Sequence, residues 1–232
     1  DAGEPMTLTD ISSRAGLPKS TAFGLLTTMR DHDVITQHAD GKYALGLRLF
    51  EYGCRASAFW NVSSLARPYL AHLVDETGGS AMLSTYENGH IVALDQAEGR
   101  DSLRVVSAPG ARLPLHCTSQ GKVFLSAMAD HEAKRVLSRR TLEPYTPKTL
   151  VTWEKLFRVM QAARENGYAV EDGEYRFGLC SASAPVRDSS GAVRYAVGFV
   201  GMFDSARSPD FQRDIDLTCA AAQISTALGY RA

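Results

Sequence analysis

The first 46 residues have the pattern of a helix, a glycine turn, a second helix and a hairpin, which restricts the folds open to this chain. The pattern predicts a short helix over 9–15, capped by the threonine at its first position and ended by Gly16. A proline favours the first turn of the second helix, which is expected over 18–31. Strand-like runs over 34–38 and 42–45 flank an Asp-Gly pair, which favours a tight β-hairpin. This order is typical of a winged helix-turn-helix, and a small helical unit with an unrelated hairpin is the alternative.

Apolar residues in the second predicted helix recur at helical spacing, which indicates the face that packs on a core. They are Ala22, Leu25, Leu26 and Met29. Residues 1–43 carry four Lys or Arg side chains against six Asp or Glu side chains, an unusual balance for a nucleic-acid-binding module. A role in protein contacts is therefore the alternative to DNA binding, and the salt dependence of any DNA affinity distinguishes the two.

The pattern changes after residue 46, where the first domain is expected to end. A linker helix is expected over 47–59, and a second domain over 60–232. In the second domain, strand-like segments joined by turn residues alternate with helical ones. The predicted strands cover 80–86, 90–96, 168–170, 180–186 and 193–200, and the predicted helices cover 62–77, 119–128, 153–165 and 209–228. An antiparallel sheet flanked by helices makes the chain an α+β protein.

The composition narrows the class of protein. The 232 residues include 25 Lys and Arg, 26 Asp and Glu, and 44% hydrophobic residues, which is typical of a folded globular chain. No apolar run approaches the ~20 residues that span a bilayer, and no signal-peptide pattern opens the sequence. A cytoplasmic protein without membrane contact is expected. The four cysteines are far apart and accompany no histidine pair, so we expect no zinc site, no disulfide framework and no cofactor.

One short motif has a catalytic interpretation. Residues 119–122 match the S-x-x-K pattern of serine enzymes of the β-lactamase type, which would use Ser119 and Lys122. The companion S-D-N and K-T-G elements are absent, and no P-loop, G-x-S-x-G or H-E-x-x-H is present. The acidic run 171–174 is consistent with a divalent-cation site or with the rim of a ligand cavity. We expect a protein that is not an enzyme, with catalysis at Ser119 and Lys122 as the alternative.

Four sequence blocks resemble the IclR family of bacterial transcriptional regulators and occur in the order of that family. They are Leu17-Pro18-Lys19-Ser20-Thr21, Tyr43-Ala44-Leu45-Gly46, residues 115–122 (LHCTSQGK) and residues 184–188 (APVRD). The resemblance covers nearly the whole chain. It implies an N-terminal winged helix-turn-helix, a linker helix and a GAF-like effector domain, assembled as a homodimer or homotetramer on double-stranded operator DNA. Family members have a further helix before residue 7, so the domain is expected to begin earlier than this sequence does.

The resemblance also implies which residues meet DNA. The second helix would lie in the major groove with its first residues nearest the base edges, and the wing would reach the backbone or the minor groove. Gly24 stands where the family commonly places a basic residue. The DNA-binding residues expected on this basis are Arg14, Pro18, Lys19, Ser20, Thr21, Phe23, Gly24, Arg30, Lys42 and Tyr43. For Lys42, a solvated surface charge is an equal alternative.

The effector site of the family lies between the sheet and the loop that leads into the helix at Ser119, whose N-terminus suits a carboxylate. The effector-binding residues expected on this basis are Met82, Ser84, Leu113, His116, Cys117, Ser119, Gln120, Gly121, Glu171, Asp172, Glu174, Leu179, Cys180, Ser181, Ser183 and Gly198. For Cys180, a buried core position is an equal alternative. For His116, the alternative is a hydrogen-bonded loop residue.

Ser181, Gly198 and Val200 depart from the pattern of relatives that sense very small keto acids. These three residues imply a roomier and more apolar pocket at this site. We therefore expect the effector to be an aromatic or medium-sized organic acid, or a derivative of one.

Overall fold

The chain forms two compact units, Asp1–Asn61 and Val62–Ala232. The computed structural model describes residues 4–58, 62–99, 108–202 and 217–231. The first unit contains the helices α1 (Leu8–Ala15), α2 (Lys19–Asp31) and α3 (Leu47–Ala58), and the strands β1 (Ile35–Gln37) and β2 (Tyr43–Leu45). Helix α3 spans most of the predicted linker, and the predicted boundary at Phe59 lies outside the described residues.

Helix α1 begins at a capping box. The Thr7 side chain accepts a hydrogen bond from the Asp10 N–H at 3.2 Å, and the Asp10 carboxylate accepts one from the Thr7 N–H at 3.3 Å. The bonds to Thr7 lower the pKa of Asp10. The predicted cap at Thr9 is wrong, because Thr9 lies inside the helix. Gly16 ends α1 as predicted, with a left-handed φ of 64°.

The hairpin closes the first unit. Strands β1 and β2 pair antiparallel with Ile35 opposite Leu45, and a single bridge adds Met6 beside Tyr43. Leu26 of α2 is buried against the inner residues of both strands. This small apolar cluster joins both elements of the predicted winged helix-turn-helix, the helix pair and the hairpin.

The predicted core face of α2 is only half right. Ala22 and Leu26 are 2% and 7% exposed, whereas Leu25 and Met29 are 48% and 44% exposed. Helix α1 and the hairpin cover α2 on one side only, so residues a fraction of a turn away from that side remain at the surface.

The second unit is built on one six-stranded antiparallel sheet, in the order β5-β4-β3-β8-β7-β6. Its strands are β3 (Ser80–Glu87), β4 (His90–Ala97), β5 (Arg112–Leu113), β6 (Ala169–Asp172), β7 (Cys180–Arg187) and β8 (Val193–Gly201). Its helices are α4 (Val62–Thr77), α5 (Ser119–Ala127), α6 (Asp130–Ser138), α7 (Trp153–Asn166) and α8 (Leu217–Ala227). The predicted α+β class is confirmed. The part of the last predicted helix over 209–216 lies outside the described residues.

Alternating side chains divide this sheet into two faces. On one face, Ala182 and Val197 pack with Leu70 of α4 and with residues of α8 in one apolar cluster. On the other face, named here the α5 face, Ala196 packs with Phe124 of α5 and with residues of α7 in a second cluster. Nowhere in the described ranges is a helix long and apolar enough to cross a membrane.

Candidate ligand cavity and DNA-binding surface

A cavity of about 290 Å³ lies on the α5 face of the sheet, within the second unit. Its floor comes from β3, β6, β7 and β8, and its sides come from β5 and the residues before it, the start of α5 and the β6–β7 loop. The lining residues are Met82, Ala108, Ala111, Arg112, Leu113, Thr118, Gln120, Glu171, Tyr175, Arg176, Leu179, Ser181 and Val200. A mainly apolar wall with a few converging polar groups is typical of a small-molecule site. We call this space the ligand cavity.

Some of the predicted effector residues line the ligand cavity together. They are Met82, Leu113, Gln120, Glu171, Leu179 and Ser181. The strands of one sheet present every second side chain to the same face, so residues that are distant in sequence meet there.

Two arginines outside the set of predicted effector residues also border the ligand cavity. Arg112 lies on β5 and Arg176 in the β6–β7 loop, and both side chains are exposed. The guanidinium carbon of Arg176 lies 5.3 Å from the centre of the Tyr175 ring, which holds the cation over an aromatic face. The sequence contained one signal for this arrangement, a tyrosine and an arginine directly after the acidic run 171–174. The cavity rim is therefore positively charged.

Glu171 is the acidic group of the cavity, and hydrogen bonds occupy both of its carboxylate oxygens. Oε1 accepts from the N–H groups of Glu174 at 2.6 Å and Tyr175 at 3.1 Å, and Oε2 accepts from the Ser181 hydroxyl at 3.0 Å. Burial raises the pKa of Glu171, and these bonds together with the Lys122 charge offset part of that rise. Glu171 thus anchors the β6–β7 loop to the sheet beside the ligand space.

Helix α5 starts at the edge of the ligand cavity. The Thr118 hydroxyl caps it, accepting from the Gly121 N–H at 3.1 Å and donating to the Pro114 carbonyl at 2.8 Å. The remaining N–H groups of a helix N-terminus carry a partial positive charge that suits a carboxylate. A Cβ at Gly121 would overlap the Leu115 carbonyl, so this glycine permits a close backbone approach and does not line the cavity.

Other predicted small residues form the contact between α5 and the sheet. The Ser119 and Ser183 hydroxyls are 2.7 Å apart, and the Ser84 hydroxyl donates to the Ala196 carbonyl at 3.4 Å. A Cβ at Gly198 would overlap Ser183 Oγ. The expectation that Gly198 enlarges the pocket is therefore wrong, because Ser183 fills the space that the missing side chain leaves.

Cys180 and Asp172 lie on the opposite face of the sheet from the ligand cavity. Cys180 shares its face with the buried Ala182, and its thiol donates to Asp172 Oδ1 at 3.2 Å. This position agrees with the core alternative for Cys180. Cys117 is fully buried before α5, where burial raises the pKa of its thiol to about 12, so it is neutral at physiological pH.

Glu174 pairs with Lys122 in the protein interior. The Lys122 side chain is 1% exposed, and its ammonium donates to Glu174 Oε1 at 2.5 Å and to the Val170 carbonyl at 2.9 Å. Ser119 has a different partner, Ser183, so the geometry gives no support to a Ser119–Lys122 catalytic pair.

The acidic run 171–174 does not form a metal site. One of its carboxylates binds backbone N–H groups, one lies on the far face of the sheet, and one pairs with a lysine. Across the parts of the chain that the structure describes, no group of three or more His, Cys, Asp or Glu side chains is placed to hold a metal ion. The cation-site interpretation is therefore wrong.

His116 lies outside the ligand cavity. Its Nε2 atom is 3.0 Å from the Glu143 carbonyl, and because a carbonyl only accepts, the imidazole donates. Burial lowers the pKa of His116. This geometry agrees with the loop-residue alternative, and the ring borders a second cavity instead.

The N-terminal turn of α2 presents its side chains to solvent. Residues 18–21 are all exposed, and Phe23 is 51% exposed on the same helix. Nothing lies within 4 Å of the position that a Cβ would take at Gly24. This exposed turn has the polar groups and the free space that a recognition helix needs in the major groove.

The basic residues predicted to contact DNA differ in their position and in their hydrogen-bond or ion-pair partners. Arg14 is exposed in the last turn of α1. Arg30 lies at the far end of α2, where its guanidinium donates to Gln37 Oε1 at 3.2 Å. The Lys42 ammonium is 3.5 Å from the Asp40 carboxylate on the exposed hairpin turn.

Tyr43 does not fit the predicted role of a wing contact. It is 6% exposed and belongs to the apolar cluster of the first unit. Strand alternation turns it inwards between Lys42 and Ala44, so its side chain is not available to DNA.

Comparison with known proteins agrees with this architecture. The model of the bacterial transcriptional regulator IclR C-terminal domain matches residues 55–226, and that of the IclR helix-turn-helix domain matches residues 1–39. The HTH-type transcriptional repressor AllR of Escherichia coli K12 is 30% identical, over 100% of this chain and 86% of the relative. The HTH-type transcriptional regulator XynR of the same strain is 31% identical, over 98% of this chain and 91% of the relative.

Solved structures give the same result. An IclR transcriptional regulator from Alicyclobacillus acidocaldarius superposes with a TM-score of 0.82 at 28% identity, covering 96% of this chain and 90% of the other. An IclR homologue from Microbacterium hydrocarbonoxydans in complex with 4-hydroxybenzoate superposes with a TM-score of 0.84 at 26% identity, covering 98% and 93%. The chain belongs to the IclR family of bacterial transcriptional regulators.

Proposed function

We propose that this regulator binds an aromatic or similarly sized organic acid in the ligand cavity, and that occupancy changes its affinity for double-stranded operator DNA. The observation that carries the proposal is the combination of a largely apolar cavity with Arg112 and Arg176 at its rim. Guanidinium groups bind carboxylates with paired, charge-assisted hydrogen bonds. The start of α5 adds a second source of positive potential.

The size and the chemistry of the cavity support an acid larger than a two- or three-carbon keto acid. Its volume of about 290 Å³ is near the lower end of the ~300–1,000 Å³ typical of small-molecule sites. Met82, Leu179 and Val200 provide apolar surface for a ring, and the Ser181 hydroxyl and the Gln120 amide provide polar partners for a substituent. The structural relative that carries 4-hydroxybenzoate supports the same class.

DNA binding is assigned to the exposed turn of α2, with Lys19, Ser20 and Thr21 nearest the bases and Arg14 as a phosphate contact. The low number of cations implies modest affinity for one module. We propose that a homodimer or homotetramer couples several modules on one operator, which multiplies weak contacts. The similarity to AllR, which is named a repressor, supports repression, and the match to the IclR helix-turn-helix domain supports a cytoplasmic location.

Calorimetric titration of the full chain tests the ligand class. The panel is 4-hydroxybenzoate, benzoate, glyoxylate and pyruvate, and the expected result is saturable binding of the aromatic acids alone. Arg176→Gln should weaken that binding about tenfold, because one charge-assisted hydrogen-bond pair is lost. Arg135→Gln is the matched control, since Arg135 is an exposed arginine on α6 that does not line the cavity. Tight glyoxylate or pyruvate binding without aromatic binding would overturn the proposal.

A mobility-shift assay with promoter DNA tests the link to the operator. The bound aromatic acid should change the DNA affinity of the wild-type chain, and the acid should be recovered chemically unchanged. Arg14→Ala, at the proposed phosphate contact, should weaken binding to all sequences and reduce its salt dependence. Failure to bind any promoter DNA at low salt would favour a protein-contact role for the first unit.

A further inference from the structure

The second unit contains another cavity, of about 280 Å³, which shares Arg112, Leu113 and Tyr175 with the lining of the ligand cavity. It lies between the β3–β4 hairpin, β5 and the residues that follow α6. Its polar walls come from Arg112, Arg140, His90 and His116, and Tyr145 and Tyr175 close one side. We call it the basic cavity.

Among the described residues, the positive groups of the basic cavity have no acidic partners. Among the residues that the structure describes, its lining includes no Asp or Glu. The ion pairs formed within the described ranges involve neither Arg112 nor Arg140. Guanidinium groups bind oxyanions with charge-assisted hydrogen bonds, so two guanidiniums that border one cavity make it suitable for an anion.

Arg140 is held in place by neutral acceptors. Its Nη2 donates to the Asn88 carbonyl at 2.6 Å, and its Nη1 lies 3.2 Å from His90 Nε2. His90 accepts this bond only in its neutral form, and burial with the charges of Arg140 and Arg112 lowers the pKa of His90 accordingly. A Cβ at Gly89, whose φ is +81°, would overlap the Arg140 guanidinium. Gly89 therefore leaves space for the Arg140 guanidinium, which neutral groups hold in place and which keeps its positive charge.

The remaining walls suit a compact organic group. The Tyr145 and Tyr175 rings form an edge-to-face pair with centres 5.0 Å apart, and the His116 ring lies 6.1 Å from Tyr145. Leu115 and Leu137 add buried apolar surface. Aromatic edges and faces of this kind pack against a planar or small carbon framework.

We propose that the basic cavity binds a small dianion, either a phosphate monoester or a dicarboxylate, at a site that is centred on Arg140 and adjoins the ligand cavity at Arg112. Both sources share two negative charges carried on oxygen, which match the two guanidiniums. Arg140 belongs to the basic cavity alone and Arg176 to the ligand cavity alone, so the two sites can be separated by substitution.

Calorimetric titration of the full chain at low ionic strength tests this site with phenyl phosphate, phthalate and inorganic phosphate. Benzoate is the singly charged comparison, and it should show no further binding once 4-hydroxybenzoate has filled the ligand cavity. Phenyl phosphate or phthalate should bind saturably, and should still bind after the ligand cavity has been filled with 4-hydroxybenzoate. The tighter of the two identifies the source as phosphate ester or dicarboxylate. Inorganic phosphate binding as tightly as phenyl phosphate would overturn the proposal, because the site would then bind free phosphate and not an organic dianion.

Arg140→Gln should weaken dianion binding by about tenfold to one-hundredfold, because hydrogen bonds to a charged group are lost. Arg140→Lys, which keeps the charge, should recover most of the affinity, and Arg176→Gln should leave dianion binding within about twofold. Unchanged 4-hydroxybenzoate binding by Arg140→Gln shows that this variant is folded. The proposal is overturned if neither dianion binds, if 4-hydroxybenzoate displaces the dianion, or if Arg176→Gln abolishes dianion binding while Arg140→Gln does not.

Discussion

Replacing Lys122 with methionine leaves the Glu174 carboxylate buried without its cation. In the folded protein the Lys122 side chain is 1% exposed and the Glu174 side chain 9% exposed, with 2.5 Å between Nζ and Oε1. Among the described residues, Glu174 Oε2 has no hydrogen-bond partner, so no other group shares the charge. Removing one half of a buried ion pair costs about 3–5 kcal/mol. Methionine keeps most of the side-chain volume, so we expect this loss in the free energy of unfolding at pH 7.

A double-mutant cycle separates the ion pair from packing. Replacing both partners, as Lys122→Met with Glu174→Leu, removes both buried charges at once and leaves only the Val170 carbonyl without its donor. We expect the double variant to lie within about 1–2 kcal/mol of the wild type, because apolar replacement of a buried pair is often close to neutral. The two single substitutions should therefore be strongly non-additive.

Urea unfolding followed by circular dichroism and by tryptophan fluorescence measures these differences. Lys148→Met is the matched control, since Lys148 forms an ion pair with Asp172 at 3.3 Å with its side chain 57% exposed. It should change stability by less than about 1 kcal/mol. The reasoning is refuted if Lys122→Met unfolds like the wild type, or if the double variant loses the sum of the two single losses.

Three further predictions concern glycines and the acidic group of the ligand cavity. Gly121→Ala should lower the free energy of unfolding by about 2 kcal/mol, because its Cβ meets the Leu115 carbonyl, whereas Gly24→Ala, in open space on a helix, should raise it by about 0.5–1 kcal/mol. Gly24→Lys should tighten DNA binding and steepen its salt dependence by about one unit relative to Gly24→Ala. Aromatic-acid binding should tighten as pH falls towards the raised pKa of Glu171, since protonation removes a negative charge from beside the ligand. Glu171→Gln should bind the aromatic acid about tenfold more tightly at pH 7 and lose that pH dependence. A tenfold change corresponds to ~1.4 kcal/mol, which is the size expected when one charge repulsion is removed.

Each of these predictions has an outcome that contradicts it. Equal stability of the two alanine variants would show that the backbone at Gly121 relaxes freely. Equal DNA affinity of Gly24→Lys and Gly24→Ala, measured by mobility shift across a salt series, would place that face of α2 away from DNA. Calorimetry that finds weaker acid binding in Glu171→Gln would show that the carboxylate contributes more through the β6–β7 loop than through its charge.

Local signals explain why the first unit was largely predictable. Gly16 must adopt a left-handed φ, and an Asp-Gly pair favours a tight turn, so each signal acts within a few residues of the chain. The cap of α1 was predicted at Thr9 and is Thr7, although Thr7 and Asp10 have the spacing of a capping box. The inward position of Tyr43 was not predicted, since it depends on how the hairpin packs on α2.

In the second unit, the sequence pattern predicted five of the six described strands and the helix at Ser119, and the family resemblance implied the segments that border the ligand cavity. Strand β5 and helix α6 were not predicted. Which side chains enter that cavity was decided by strand register and loop path. A shift of one residue exchanges the two faces of a strand, which is why Ser181 lines the cavity and Cys180 does not. The position of Arg176 depends on hydrogen bonds that fold the β6–β7 loop back onto Glu171. Periodicity records the alternation along one segment, whereas contacts between distant segments exist only after the chain has packed.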